Sequence, residues 1–222
     1  TDELIALCKH FVSIKPDALY VPHMRSETDQ LVEAIVETLQ ISRKSQIRLH
    51  ISHLKTGGRN NWHKIDKVID LIEEARNEGI DITCDGYPYI ASNTDLDTIL
   101  PKWVLSGCIQ EEIRRLKDTN TRKKIKSELQ TETNEYWQGI YISSVFKDQN
   151  RWVEGLSVLE ISEHLGKDII DTVLDIIIDD DAKTSAIFFS MCEDNLKRFL
   201  SLPYMTIGSD SAVRSFDGIT FK

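Results

Sequence analysis

Apolar positions follow two periods along the first ninety residues. In residues 1–14, Leu4, Leu7, Cys8 and Phe11 fall on one face at helical spacing. Leu31, Ile35 and Leu39 recur at i, i+4 and i+8 and predict a helix over 26–40. Ile65, Val68, Ile69 and Ile72 predict another over 63–78, stopped by Gly79. Between the helical stretches the period drops to two. Leu19, Val21 and His23 share a face in 17–23, and Leu49, Ile51 and His53 share one in 46–53. A third strand, 80–85, leads into Gly86-Tyr87-Pro88-Tyr89. Strands alternating with helices indicate an α/β fold built of parallel βαβ units. Apolar, apolar, histidine on one strand face fits an α/β barrel: the first two residues fill its interior and the third reaches the catalytic end. His50 is then expected to face the helices.

After Ser92 this rhythm is lost. Residues 93–138 are polar, with a charged helix expected over 111–129, and Arg122-Lys123-Lys124 reads as its solvated face. A short strand is expected over 140–145 and a helix over 168–178. Ser157 and Glu160 fit a capping box opening a helix to Leu165, and Ser190 and Glu193 fit a second before a helix to Leu200. Between them 186–189 reads as a strand, and 205–210 as another, ending in Asp210. Three regions follow: barrel βα units in 1–92, an insertion with a helical segment in 93–185, and the last barrel strand region in 186–222.

Two histidines at matching strand ends suggest two ligands for one metal ion, since neutral imidazole is the commonest metal ligand; two ordinary polar strand ends are the alternative. Asp210, at a third strand end, is able to bind a metal and to move a proton between an attacking water and a leaving group, or to serve as a helix cap. Lys55 can attract a substrate carboxylate or be a solvated loop residue. Arg25 and Glu27 are expected to pair with each other and orient His23, or to form a plain surface pair. Tyr87 and Tyr89 flank a proline and either bind substrate or pack. Cys84 reads as a small buried hydrophobe, and His10, His63 and His164 as having no catalytic role.

Composition narrows the class. A net charge of -9 over 222 residues argues against a nucleic-acid partner. No apolar run approaches the ~20 residues of a membrane span. Four scattered cysteines without a CxxC pair suggest a reducing, cytoplasmic setting. The length suits one large domain or an incomplete barrel, which needs about 250 residues when whole. Serine-elbow, P-loop, dinucleotide and HExxH motifs are all missing.

With these residues in view, the chain resembles the N-acyl-D-amino-acid deacylases (D-aminoacylases) of the amidohydrolase superfamily. The resemblance rests on Tyr20-Val21-Pro22-His23-Met24-Arg25-Ser26-Glu27, Ser52-His53-Leu54-Lys55 with Asn61-Trp62, Asp85-Gly86-Tyr87-Pro88-Tyr89, Leu100-Pro101-Lys102-Trp103 and Ile207-Gly208-Ser209-Asp210. It implies a (β/α)8 TIM-like barrel with an inserted segment, of which this chain holds about strands 5–8, strands 5–7 lying in 1–92. It also implies a zinc-dependent hydrolase releasing a carboxylate and a D-amino acid from a small-molecule N-acyl-D-amino acid. His23 and His53 would be zinc ligands. Asp210 would be the catalytic acid/base and a possible metal ligand. Lys55, Tyr87, Ser92 and Asn93 would touch substrate, Met191 would line its pocket, and Tyr20 and Arg25 are grouped with the substrate-binding residues. The family's His-x-His strand is expected upstream of Thr1 and its substrate-binding arginine downstream, so the chain alone is expected to be inactive. A half-barrel leaves strand edges and apolar surface open, so self-association is expected. The alternatives are a cyclic-amide hydrolase of the same superfamily and a non-catalytic structural fragment.

Overall fold

The computed structural model describes residues 1–130 and 132–211. In chain order the elements are α1 (Asp2–Ile14), β1 (Leu19–Tyr20), α2 (Leu31–Ser45), β2 (Arg48–Ile51), a 3-10 turn (Arg59–Lys64), α3 (Ile65–Asn77), β3 (Ile82–Gly86), β4 (Ser92–Asp95), α4 (Ile109–Lys117), α5 (Thr119–Leu129), α6 (Asn134–Gln138), β5 (Ile140–Ser144), α7 (Val158–Leu165), α8 (Ile169–Asp179), β6 (Ser185–Phe188), α9 (Glu193–Leu200) and β7 (Met205–Ile207). They divide into two compact units, 1–90 with 190–211, and 91–189. Among the described residues no helix is long and apolar enough to cross a membrane.

The first unit is built on a parallel sheet in the order β1-β2-β3-β7. Its buried face carries Leu49 and Ile51 from β2 and Ile82 and Cys84 from β3, packed with Leu31, Ile35 and Leu39 of α2 and Val68 and Ile72 of α3. This reverses the expected facing. Leu49 and Ile51 cover the helices, not a barrel interior, while His50 points the other way and bonds to Thr83 and Asp85. Leu19 and Val21 likewise stay exposed. The physical reason is that, among the described residues of this unit, helices supply the apolar partner layer, so the apolar residues of β2 and β3 turn to them.

Strand lengths differ from expectation too. β1 stops three residues before His23, β2 two before His53 and β7 three before Asp210, so all three side chains sit on loops beyond strand ends. The helix expected at 26–40 runs Leu31–Ser45, because residues 26–30 form a turn on the Ser26 hydroxyl, which accepts from the Thr28 and Gln30 amides. At 190–193 no capping box forms: α9 begins after Cys192 without a side-chain cap.

The second unit packs helices against an antiparallel sheet, β4-β6-β5. β6 pairs here and not with the parallel strands, and Ser92 and Asn93 open β4. Asp118 divides the helix expected over 111–129, ending α4 and capping α5 through the Thr121 amide. Arg122 is not solvated: it bridges Asp171 and Asp175 of α8. The capping box at Ser157 and Glu160 is fully formed. Asp180, wholly buried, accepts from the Phe146 and Lys147 amides and from Asn150 and Thr184. Asn93 donates to Ser143.

Candidate metal centre

Two loops of the first unit bring His23 and His53 together. His23 Nδ1 and His53 Nε2 face each other at 2.9 Å, with ring centroids 4.6 Å apart. His53 is buried and His23 exposed, so the pair opens to solvent on one side.

The approach depends on a local bend at His53. Strand alternation would put this ring on the helix side with Leu49 and Ile51. Its φ of 40° turns the chain instead, a left-handed conformation that costs a non-glycine residue about 1–2 kcal/mol. Asp85 offsets that cost. Its Oδ1 accepts the His53 amide at 2.7 Å, while its Oδ2 lies 2.8 Å from His50 Nε2. The chain after the bend is pinned as Leu54 donates to the Asp85 carbonyl.

Glu27 completes the cluster. Its Oε1 accepts from His53 Nδ1 and also pairs with Lys55 Nζ at 2.5 Å. The expected Arg25–Glu27 pair is absent: Arg25 forks onto Glu37 across the start of α2, and Glu27 serves His53, not His23. Arg25 is exposed, and Tyr20 packs between two core clusters beneath the sheet. Gly57 holds the two loops together. Its amide donates to the Glu27 carbonyl at 2.8 Å, and a Cβ there would lie 3.1 Å from that oxygen.

Electrostatics follow from burial and pairing. Burial pushes the Glu27 carboxyl up, but the His53 bond and the Lys55 charge outweigh it and hold it below the usual range. The Glu27 bond raises His53 against burial and Lys55. Burial lowers Lys55, opposed by Glu27, Asp210 and Asp85. Asp210 is exposed, with a φ of 49°, and its charge is felt at His53, Lys55, Tyr87 and Tyr89.

Tyr87 lies beside the cluster with Lys55 Nζ 5.5 Å from its ring centroid, and it stacks on Tyr89 at 4.5 Å. Among the described residues its buried hydroxyl has no hydrogen-bond partner. Met191 and Lys55 line one small cavity with Thr56 and Asn195. Ser92 and Asn93 belong to the second unit.

The donor set suits zinc. Two imidazole nitrogens on one tetrahedral zinc, with bonds of about 2.0–2.1 Å, stand about 3.3 Å apart. The 2.9 Å contact opens to that distance by a small ring movement. Among the described residues, His23, Glu27 and His53 form the group whose ligand atoms lie within 4.8 Å of one another. Sequence reading missed Asp85 and the true partners of Glu27. An acid on the open sheet face next to a histidine on the neighbouring strand was the available signal for Asp85.

No protein-family model matches the chain. D-aminoacylase of Alcaligenes xylosoxydans xylosoxydans is 34% identical over 96 residues, 43% of this chain and 19% of that protein. N-acyl-D-aspartate deacylase of the same organism is 24% identical over 217 residues, 95% of this chain and 34% of that protein. Among solved structures, N-acyl-D-glutamate deacylase from Bordetella bronchiseptica, complexed with zinc and a phosphonate inhibitor, matches with a TM-score of 0.67 at 24% identity, over 94% of this chain and 35% of that one. A D-aminoacylase variant in complex with copper chloride matches with a TM-score of 0.64 at 25% identity, over 93% and 35%. The chain thus spans 19% to 34% of the length of these two curated relatives. Its mixed α/β fold matches D-aminoacylase amidohydrolase structures, and it is a homologue of D-aminoacylase and N-acyl-D-amino-acid deacylases.

Proposed function

We propose that this chain carries part of the active site of a zinc-dependent N-acyl-D-amino-acid deacylase, corresponding to about strands 5–8 of a (β/α)8 barrel. The observation that carries the reading is the meeting of His23 Nδ1 and His53 Nε2 at the ends of adjacent parallel strands. His23 and His53 hold the ion. Zinc held there would supply a Lewis acid that favours polarisation of an acyl carbonyl and deprotonation of water. Asp210 accepts the proton of the attacking water and returns it to the departing D-amino nitrogen. Lys55 and the Tyr87 hydroxyl face the substrate carboxylate, and Met191 borders its side chain. Tyr20 and Arg25 support the His23 loop from outside the reacting groups.

The chain spans 34% of the curated relative that it matches along 95% of its own length, and the reading places the remaining zinc- and carboxylate-binding groups in the rest of such a polypeptide. The edge strands of the parallel sheet, β1 and β7, each with one side unpaired among the described residues and with Val21 and Ile207 exposed, favour self-association. The test is hydrolysis of N-acetyl-D- against N-acetyl-L-amino acids by the full polypeptide that carries this chain. D-selective amine release, abolished by chelation and restored by zinc, is the expected result. No hydrolysis of any acylated amino acid overturns the reading, and turnover of cyclic amides alone replaces it with a cyclic-amide hydrolase.

A further inference from the structure

We infer that Glu27 is a positioning residue that sets the tautomer of His53 and so makes its Nε2 available to a metal ion. The inference rests on the proposed metal centre but is measurable without it. Two groups compete for His53 Nδ1. Glu27 Oε1 accepts from it, and Lys55 Nζ stands 3.1 Å away. An ammonium has only hydrogens to offer and a carboxylate only lone pairs. If Lys55 donated to Nδ1, the ring proton would move to Nε2 and point at His23, closing the place between the two imidazoles. Glu27 prevents this with a single oxygen. Oε1 draws the Lys55 ammonium at 2.5 Å and simultaneously takes the Nδ1 proton, so Nδ1 remains a donor and Nε2 keeps its lone pair. A carboxylate on the far nitrogen of a ligating histidine both fixes the tautomer and raises the ring's basicity.

The site is built to hold this carboxylate in place. Its side chain is only 18% exposed, and the Glu27 carbonyl is fixed by the Gly57 amide, where any side chain at 57 would crowd it. Glu27 also follows His23 by four residues, so one loop delivers both a ligand and the group that orients the other ligand.

Nitrogen NMR of the histidine-labelled, metal-free chain tests this at a pH where imidazole is neutral, with His53 assigned by its loss in His53→Gln. The wild type is expected to carry the His53 proton on Nδ1. Glu27→Ala is expected to move it to Nε2 and to weaken zinc binding, measured against a chromophoric chelator, by about 10- to 100-fold. Glu27→Gln retains an acceptor oxygen and is expected to fall between the two. It also serves as the folded variant should the alanine chain lose its circular dichroism. An unchanged His53 tautomer in a folded Glu27 variant, or zinc affinity within twofold of wild type, overturns the inference. Zinc is measured on the full polypeptide that carries this chain: if its wild type binds none, the metal reading fails, and the tautomer measurement alone still decides the role of Glu27.

Discussion

Removing the Asp85 carboxylate is expected to loosen His53 without touching either imidazole. Asp85→Ala deletes two hydrogen bonds, one from the His53 amide at 2.7 Å and one to His50 Nε2 at 2.8 Å. Bonds to charged groups contribute about 1.5–3 kcal/mol each. The Asp85 side chain is 27% exposed, so water replaces part of that, and about 2–4 kcal/mol is the expected loss for the first unit. The His53 bend then bears its left-handed φ unaided. Asp85→Asn is the control. Its carbonyl oxygen still accepts the His53 amide and its NH2 can donate to a neutral His50, so the cost should stay below about 1.5 kcal/mol. Urea titration followed by circular dichroism reads the stability, and chelator competition reads zinc. Weaker zinc binding in Asp85→Ala is expected to accompany the lost stability. An alanine variant within about 0.5 kcal/mol of wild type, or an asparagine variant as damaged as the alanine one, would refute the role given to this carboxylate.

Leu49→Ala should cost about 3–4 kcal/mol by leaving a cavity against α2 and α3, whereas Leu19→Ala, 45% exposed, should cost under about 1; equal losses in urea unfolding would reverse the facing of the sheet. Burial, with Asp97 adding and Arg115 opposing, pushes the Glu112 carboxyl up to about 7, and its Oε1 has no partner among the described residues. Because the folded value lies above the unfolded one, stability is present below about pH 4.5 and lost as pH rises through 7. The second unit should lose about 2–3 kcal/mol between pH 5 and 8, and Glu112→Gln should flatten that slope; an equally steep profile in the variant counts against it. Ser157→Ala should cost about 1–2 kcal/mol through the lost capping box, while Ser190→Ala should leave the melting of α9 unchanged, since no cap forms there.

Periodicity exposed the elements more reliably than their orientation. Helical spacing located α3, whose apolar stripe packs on the sheet, and also α1, although Leu7 and Phe11 of the stripe expected there are exposed and Ile5 and Cys8 are buried; the capping box located α7. Two-residue alternation located β2 and β3 but not which face met the helices, since a strand's pattern is the same read from either side. His23 and His53 were visible as a matched pair, yet the route to their contact was not. The rings meet through loops beyond the strands and a left-handed residue, and a positive φ at histidine leaves no trace in composition. Likewise Glu27 lay in view beside Arg25, but partner choice depended on the Gly57 contact, made thirty residues away in sequence.

Zinc affinity in single histidine variants tests most directly whether these two side chains form one site. Equilibrium dialysis with zinc of the full polypeptide that carries this chain should show binding that falls at least tenfold in His23→Ala and in His53→Ala, and is unchanged in His10→Ala on the exposed face of α1. Zinc retained at wild-type affinity by either of the first two variants would contradict a shared centre.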